Sequence, residues 1–317
     1  MKGPRVHLVR RVLRAGFGSG PGEGKCRFTA ALICLCLLLQ GCTALGRSPW
    51  VKRQAANGLF PTVEDFVEVA FRCDDPAIIK TTMESYLLLI ETLCRESPKN
   101  RDLLVLASTL YAYYSFGFVV DEDLERARKL YGKGIALGKQ ALEFNPALKQ
   151  ALEQGAPYYQ ALEHLDPDED LPAAYCTAMN QGMLLICSLD VVEAFAEANT
   201  YKVLCDWMIR HQETYFHGAA HTLLGVYYAI MPTIAGGGAE KAKKEFDRGM
   251  EIDDRLLIHY WACARYYPTL VDDEEMYDEL IRHILEADPA ADPSLTALNT
   301  IAKKKARTLD RDRGRFF

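Results

Sequence analysis

The sequence predicts an all-α fold of about eleven or twelve helices, stacked as antiparallel pairs. After Pro61, prolines divide the chain into intervals of roughly 15–30 residues, the length of one or two helices. Within these intervals, apolar residues recur at helical spacing on otherwise polar segments. Alternating apolar and polar residues bounded by hairpin turns, which would indicate strands, are essentially absent.

Three segments show the helical periodicity most clearly. Apolar residues recur over Met83–Cys94, Leu124–Gly138 and Met276–Leu285, and the second segment carries charged residues on its other side. Spacings of three and four residues put each apolar set on one helical face. Each segment is therefore expected to form an amphipathic helix that buries one side against its neighbours.

Two parts of the chain carry the spacing of small and aromatic residues found in tetratricopeptide helix pairs. In such a pair, small residues let the two helices approach closely, and the aromatic residue fills the groove between neighbouring pairs. The more complete copy contains about five extra residues around a run of three glycines. We therefore expect a tetratricopeptide-like superhelix. The matching residues are Leu224, Gly225 and Tyr228 with Ala242, Phe246 and Gly249, and earlier in the chain Ala127, Tyr131 and Gly134.

The N-terminal 41 residues have the pattern of a bacterial lipoprotein signal. The apolar run Phe28–Leu39 precedes Gly41 and Cys42. The residues before Cys42 include seven basic residues and only one acidic residue. A basic region, an apolar region of roughly 7–15 residues and a small-residue cleavage site define a secretory signal. The run is too short for a membrane span, which needs about 20 residues. Cleavage after Gly41 would leave Cys42 to carry the lipid. The alternative is an uncleaved signal anchor.

Three regions follow from these patterns: residues 1–41 as a signal peptide, 42–60 as the lipidated cysteine and a flexible tether, and 61–317 as the helical domain. The tether lacks periodicity. Removing the signal changes the formal net charge from −6 to −12. So acidic a domain argues against nucleic acid as a partner, because phosphates require basic residues. The lipid is then the expected membrane contact of a periplasmic protein, on either the inner or the outer membrane.

Six cysteines lie beyond Cys42, and the sequence leaves their disulfide state open. An even number in an exported protein permits disulfides. However, none forms a C-x₂-C pair, and several lie within apolar stripes, as Cys94 does after Leu93. We favour reduced thiols that pack as small hydrophobic side chains. The six are Cys73, Cys94, Cys176, Cys187, Cys205 and Cys263.

His217 and His221 have the i, i+4 spacing of zinc-protease ligands. Those enzymes need a glutamate directly after the first histidine to activate water, and Gly218 occupies that position. Histidines hydrogen-bonded within a packed helix pair are the simpler interpretation. We expect no metal and no cofactor.

Other motifs give no support for catalysis. The glycine-rich segment Pro232–Lys241 lacks the G-x₄-G-K-[ST] order of a phosphate loop and a preceding strand, so an interhelical turn is expected. The acidic run Asp166–Asp170 lacks the order of a calcium loop. No G-x-S-x-G nucleophile motif occurs. We therefore expect no catalytic residues.

Aromatic residues are concentrated in the segment Leu103–Phe118 and in the later helix pairs. Most must belong to the core. A curved helical stack also has a concave face, where Tyr and Trp suit an apolar ligand or a partner segment. The candidates for such contacts are Tyr111, Tyr114, Tyr131, His221, Tyr228 and Trp261.

Several short motifs, taken in order, resemble the T component of TRAP-type transporters, a family of tetratricopeptide-containing periplasmic lipoproteins, and in particular its spirochaete (Treponema) member. The resemblance covers roughly residues 60–310 and depends on the collinear order of the motifs. One departure is Gly238-Ala239, where an acidic residue often follows the glycine pair. The motifs are Leu106-Ala-Ser-x₂-Tyr111-x₂-Tyr114-x-Phe116, Ala127-Arg128-x-Leu130-Tyr131, Leu171-Pro-Ala-Ala-Tyr175, Gly218-Ala-x-His221-x₂-Leu224-Gly225-x-Tyr227, Gly236-Gly237-x₃-Lys241-Ala242-x₃-Phe246, Ala264-x-Tyr266-Tyr267 and Leu298-Asn299-x₂-Ala302-x₃-Ala306-x₂-Leu309.

The resemblance implies a non-enzymatic accessory protein that binds the extracytoplasmic solute-binding subunit of a TRAP transporter. It also implies a homo-oligomer, a trimer, with clefts or pores for a hydrophobic small molecule. TRAP systems move small solutes, often organic acids, by using an ion gradient. The subunits that would supply this energy are separate membrane proteins.

Two other functions stay open from the sequence alone. A tetratricopeptide-like lipoprotein of outer-membrane protein assembly would also be lipidated and helical, and gene neighbourhood would distinguish it from a transporter component. A metallohydrolase would use His217 and His221. Stoichiometric zinc that is lost on replacing His221 by alanine would support the enzyme.

Overall fold

The computed structural model describes residues 48–191 and 198–317, which form helices and no strand. Twelve of these helices have eight or more residues, so the predicted all-α class is confirmed. The predicted signal peptide and Cys42 lie outside the described residues. The twelve helices are α1 (Pro49–Phe71), α2 (Pro76–Glu96), α3 (Arg101–Tyr114), α4 (Leu124–Leu142), α5 (Pro146–Glu153), α6 (Leu171–Ile186), α7 (Ala198–Gln212), α8 (Ala219–Ile230), α9 (Ala239–Ile252), α10 (Leu257–Tyr266), α11 (Glu274–Glu286) and α12 (Thr296–Arg311).

Polar caps begin several helices at the boundaries that the prolines predicted. The Asp75 carboxylate accepts hydrogen bonds from the amides of Ala77 and Ile78, and Pro76 follows at the first helical position of α2. Asn145 and Pro146 start α5 in the same way. Such caps satisfy amides that lack a partner within the helix, and proline has no amide to satisfy there. One boundary differs from expectation, since α1 begins at Pro49, inside the segment predicted as a tether, and contains Pro61.

Residues 55–317 form one compact unit, in which each helix from α6 to α12 packs against the next, as do α2, α3 and α4, and several helices also contact the next helix but one. Contacts between helices that are separated by one other helix join α4 to α6, α8 to α10 and α10 to α12. Small residues mark the closest approaches. A Cβ added to Gly225 of α8 would lie 2.7 Å from the Phe246 ring of α9. The small residue thus lets α8 and α9 approach closely, whereas the tetratricopeptide-like superhelix stays a prediction.

The helix α3 lies in the core and continues into a π-helical turn, Ser115–Val119. The whole segment Arg101–Val119 is long and apolar enough to cross a membrane by length and composition alone. Its side chains are mostly buried within the fold, as expected for the central helix of a helical domain. The six cysteines beyond Cys42 are free thiols, and burial raises the pKa of Cys94 to about 11.

Candidate functional site

A cavity of about 90 Å³ lies among α3, α6, α8 and α10. Its walls are almost entirely apolar, because each contributing helix turns aliphatic or aromatic side chains inward. Met179 and Met183 are one turn apart on α6, and their unbranched side chains adapt to what they contact. The aliphatic lining includes Met179, Met183, Ile186, Val226, Ile258 and Leu298. The aromatic lining includes Tyr113, Phe116, Tyr175, Phe216, Trp261 and Tyr266.

One wall of the cavity is a cluster of three aromatic rings. Phe216 stacks on Tyr175 with ring centroids 5.0 Å apart and lies 6.2 Å from Tyr113. The hydroxyls of Tyr113 and Tyr175 are 3.3 Å apart and hydrogen-bonded. Burial raises the pKa of both tyrosines well above the ordinary value. These hydroxyls therefore stay neutral, and the wall presents no charge.

Phe216 reaches this wall from an unusual backbone turn between α7 and α8. Phe216, His217 and Gly218 all have positive φ angles, of 43°, 59° and 77°. The left-handed conformation costs roughly 1–2 kcal/mol for each non-glycine residue. Surrounding contacts must hold the turn, and His217 supplies two of them. Its Nδ1 is 2.6 Å from Asp253 Oδ2, and its carbonyl oxygen accepts a hydrogen bond of 2.8 Å from His259 Nε2.

His259 is a buried polar residue of the cavity lining. Because a carbonyl can only accept, His259 Nε2 carries the proton, and Nδ1 accepts a hydrogen bond from the Thr222 hydroxyl. Burial lowers the pKa of His259 to about 4. The hydrogen bond to the His217 carbonyl raises this pKa, but its effect is smaller. Gly249 leaves room for this pair, since a Cβ there would lie 3.0 Å from Thr222 Oγ1. The histidine is therefore neutral at physiological pH.

Of the six residues predicted to contact a ligand or partner, Trp261 lines the cavity. Tyr111 and Tyr114 instead connect helices. The Tyr111 hydroxyl donates to Glu91 of α2, which also pairs with Lys133 of α4 at 2.7 Å. The Tyr114 hydroxyl donates to Glu84 of α2, whose carboxylate lies 3.1 Å from Arg126 of α4. Two equivalent networks thus join α2, α3 and α4.

The remaining three predicted residues are also placed away from the cavity wall. Tyr131 is fully buried in α4. The His221 ring lies between two carboxylates, with Nδ1 2.6 Å from Glu245 and Nε2 3.1 Å from Glu213. Tyr228 lies beside the glycine turn, where its carbonyl accepts a 2.9 Å hydrogen bond from the Gly238 amide. Their predicted contacts with a ligand or partner stay predictions.

The two histidines considered as metal ligands have separate partners. His217 pairs with Asp253, whereas His221 pairs with Glu213 and Glu245. Within residues 48–191 and 198–317, no group of three or more His, Cys, Asp or Glu side chains could hold a metal ion. The glycine-rich segment forms the predicted turn, closed by a bond of 3.1 Å from the Gly237 amide to the Pro232 carbonyl.

Sequence reasoning missed most of the cavity. Phe216 lies in the short turn Tyr215–Gly218, whose left-handed conformation has no simple sequence signal apart from Gly218. Met179 and Met183 have the i, i+4 spacing of a core stripe, which gives no reason to expect a cavity. Only the aromatic-rich composition of α3 and α10 pointed to this region.

The described residues thus define an all-α domain of packed helices with a small apolar cavity. Comparison with known proteins gives the family. The TRAP transporter T-component family matches residues 72–317, and the chain belongs to that family. It is also similar to an uncharacterized protein of Treponema pallidum (strain Nichols), with 26% identity over 320 residues that cover 86% of this chain and 92% of the relative. Association with a TRAP transporter follows from the family, and so does a membrane-associated or periplasmic location in a bacterium.

Proposed function

We propose that this protein is a non-enzymatic, lipid-anchored scaffold of a TRAP-type transporter. It docks the extracytoplasmic solute-binding subunit and binds a small apolar molecule in the cavity among α3, α6, α8 and α10. Family membership supports the association with a transporter. The observation that supports ligand binding is the cavity itself, whose lining is almost wholly aliphatic and aromatic.

The size and lining of the cavity favour a small apolar ligand. An apolar void of about 150 Å³ in a protein core stays dry and binds benzene. The present cavity, of about 90 Å³, is smaller. It is bounded on one side by Met179 and Met183, which can change rotamer at little cost. A ligand with a short aliphatic chain or a single ring would fill it and contact Trp261.

Neutral polar groups on the walls suit such a ligand. The Thr222 hydroxyl is committed to His259, and the Tyr201 hydroxyl donates to the Leu223 carbonyl. Polar groups that already have partners can line an apolar site without the cost of losing their hydrogen bonds to water. Binding would therefore move the apolar surface of the ligand from water into the cavity, which is favourable by roughly 25 cal/mol per Å² of apolar surface.

The lipid at Cys42 and the periplasmic location complete the proposal. The basic, apolar and small-residue order of residues 1–42 supports lipidation. The family resemblance supports a homotrimer that presents three copies of the docking surface. An anchored trimer would keep the solute-binding subunit close to the membrane components of its transporter, and so raise its effective concentration there.

Affinity capture from the periplasm of the native bacterium tests the docking step. The full chain, tagged at its C-terminus, is expected to retain the solute-binding subunit of a TRAP transporter in stoichiometric amount, as identified by mass spectrometry. A second tagged lipoprotein from the same bacterium is the control for nonspecific capture. Retention of β-barrel assembly factors without that subunit would contradict the proposal and favour the role in outer-membrane protein assembly.

A further inference from the structure

A second apolar cavity, of about 30 Å³, lies among α1, α2, α3 and α12. The C-terminal part of α1 covers it and contributes Phe66, Val67, Ala70 and Phe71 to its lining. The surface that faces this cavity is apolar throughout. An apolar void stays dry even where it is large enough for water. The atoms around it therefore lack packing partners that a ligand could supply.

Two ring contacts hold α1 over the second cavity. Phe66 stacks on Tyr86 of α2, with ring centroids 3.7 Å apart. Phe71 meets the ring of Tyr113 of α3 edge to face at 5.4 Å. Contacts between aromatic rings add to the stabilisation that comes from burying them. The end of α1 is thus the outer wall of the second cavity.

The second cavity adjoins the first cavity, which lies among α3, α6, α8 and α10. Tyr113 and Leu298 line both. The Tyr113 ring contacts Phe71, which lines the second cavity, and Phe216, which lines the first. The partition between the two cavities is therefore no thicker than these side chains.

The two parts of the partition differ in their freedom to move. The hydroxyl of Tyr113 is hydrogen-bonded to that of Tyr175, so a rotation of this ring would break a buried hydrogen bond. Leu298, on α12, has only apolar atoms in its buried side chain. It can change to another staggered rotamer without breaking a hydrogen bond. Leu298 is therefore the part of the partition that moves at the lower cost.

The sizes of the cavities favour their use as one site. The first has a volume of about 90 Å³ and the second about 30 Å³. A void of about 150 Å³ binds benzene, so neither cavity alone reaches that size. Joined, they would come closer to it and would be elongated. The passage beside Tyr113 and Leu298 would then admit an unbranched chain, which is the narrowest hydrocarbon, in preference to a ring or a branched group.

We propose that the two cavities form one binding site for an unbranched alkyl chain, which passes between Tyr113 and Leu298 and ends under α1. This inference rests on the proposed binding of an apolar molecule and adds the shape of that molecule and a second part of its site. The far end of the chain contacts Val67 and Phe71, which line the second cavity.

Calorimetric titration of the full chain with hexanol and with neohexyl alcohol tests this inference. The two probes are isomeric primary alcohols, and the second ends in a compact tert-butyl group. Hexanol is expected to bind about tenfold more tightly, the effect of burying roughly two further methylene groups in the second cavity. Equal affinities would overturn the joined site and leave apolar binding intact. Failure of both probes to bind would overturn both proposals.

Two substitutions on α1 assign the preference to the second cavity. Val67→Phe fills this cavity, so it is expected to lower the affinity for hexanol to that for neohexyl alcohol, which stays unchanged. Val69→Phe is the matched control, because Val69 is 66% exposed on the same helix, and it is expected to retain the preference. The ratio of the two affinities is compared between variants, so the different hydration of the isomers cancels. An unchanged ratio in Val67→Phe would contradict the assignment.

A second variant covers the case in which Val67→Phe fails to fold. Leu298→Ala removes the movable part of the partition, so the preference for hexanol is expected to rise several-fold. Leu309→Ala is its matched control, because Leu309 is a buried leucine of the same helix that lines neither cavity. A preference that rises no more in Leu298→Ala than in Leu309→Ala would contradict Leu298 as the partition.

Discussion

The Thr222 hydroxyl donates a hydrogen bond to Nδ1 of His259, and this bond joins α8 to α10. Because Nδ1 accepts and Nε2 donates, the ring is in its neutral form. The other ring nitrogen donates to the carbonyl of His217, in the left-handed turn that carries Phe216. The hydrogen bonds of one buried ring thus connect two helices to the turn that forms the cavity wall. The integrity of the cavity therefore depends on His259 staying uncharged.

The stability of the protein is expected to fall between pH 6.5 and pH 4 because of His259. Its pKa is about 4 in the folded state and about 6.5 in the unfolded chain, so the unfolded state binds more protons in this range. The contribution is fully present above pH 6.5 and is lost as the pH falls towards 4, up to about 3 kcal/mol. Urea denaturation measured across this range checks the slope. His259→Gln keeps a donor and an acceptor but does not titrate, and an equally steep decline in that variant would contradict the assignment.

Gly225→Ala is expected to destabilise the protein by about 1–3 kcal/mol, because the new Cβ would overlap the Phe246 ring. Gly132→Ala is the matched control. Gly132 lies exposed in α4 with no atom within 4 Å of an added Cβ, so alanine is expected to stabilise by about 0.5–1 kcal/mol. Thermal and urea denaturation measure both. Equal effects of the two substitutions would show that α8 and α9 do not pack at Gly225.

Tyr111→Phe and Tyr114→Phe are each expected to lower the free energy of unfolding by about 1 kcal/mol, because each removes a hydroxyl that joins α3 to a glutamate of α2. Neither should change the binding of a small apolar probe such as benzene, because neither residue lines the cavity. Trp261→Phe, by contrast, is expected to change the affinity for that probe, because Trp261 lines the cavity. A loss of ligand binding in either tyrosine variant would support the prediction that these residues contact the ligand.

Cys42→Ser is expected to release the protein from the membrane fraction, since serine cannot form the thioether to the lipid. Labelling of cells with radioactive palmitate, followed by fractionation, measures both lipidation and location. Cys36→Ser is the control, because Cys36 belongs to the predicted signal and would be removed with it. Equal labelling of the Cys42→Ser variant and the unchanged protein would exclude Cys42 as the lipid site.

The fold could be predicted from sequence where local patterns determine structure. The apolar stripe of Met83–Cys94 places Met83, Leu87 and Ile90 in the core, and Pro146 marks the start of α5. Gly225 and Phe246 could be assigned to one helix pair from their spacing, and α8 and α9 do pack together there. These features depend on neighbours within one or two helices, which the sequence shows directly.

The cavity could not be predicted in the same way. It forms where α3, α6, α8 and α10 meet, and its wall includes Phe216 in a turn of positive φ. Composition indicated that aromatic residues would be important, yet it could not separate Trp261 at the cavity from Tyr111, whose hydroxyl is bonded to Glu91. That separation depends on the positions of residues distant in sequence.

The most direct test of the central claim is sedimentation velocity of the purified full chain, in detergent, with the solute-binding subunit of a TRAP transporter from the same bacterium. The account predicts a complex that sediments faster than either protein alone, with a fixed stoichiometry that is reached at saturation. Independent sedimentation of the two proteins at concentrations of tens of micromolar and above would contradict docking as the function of this protein.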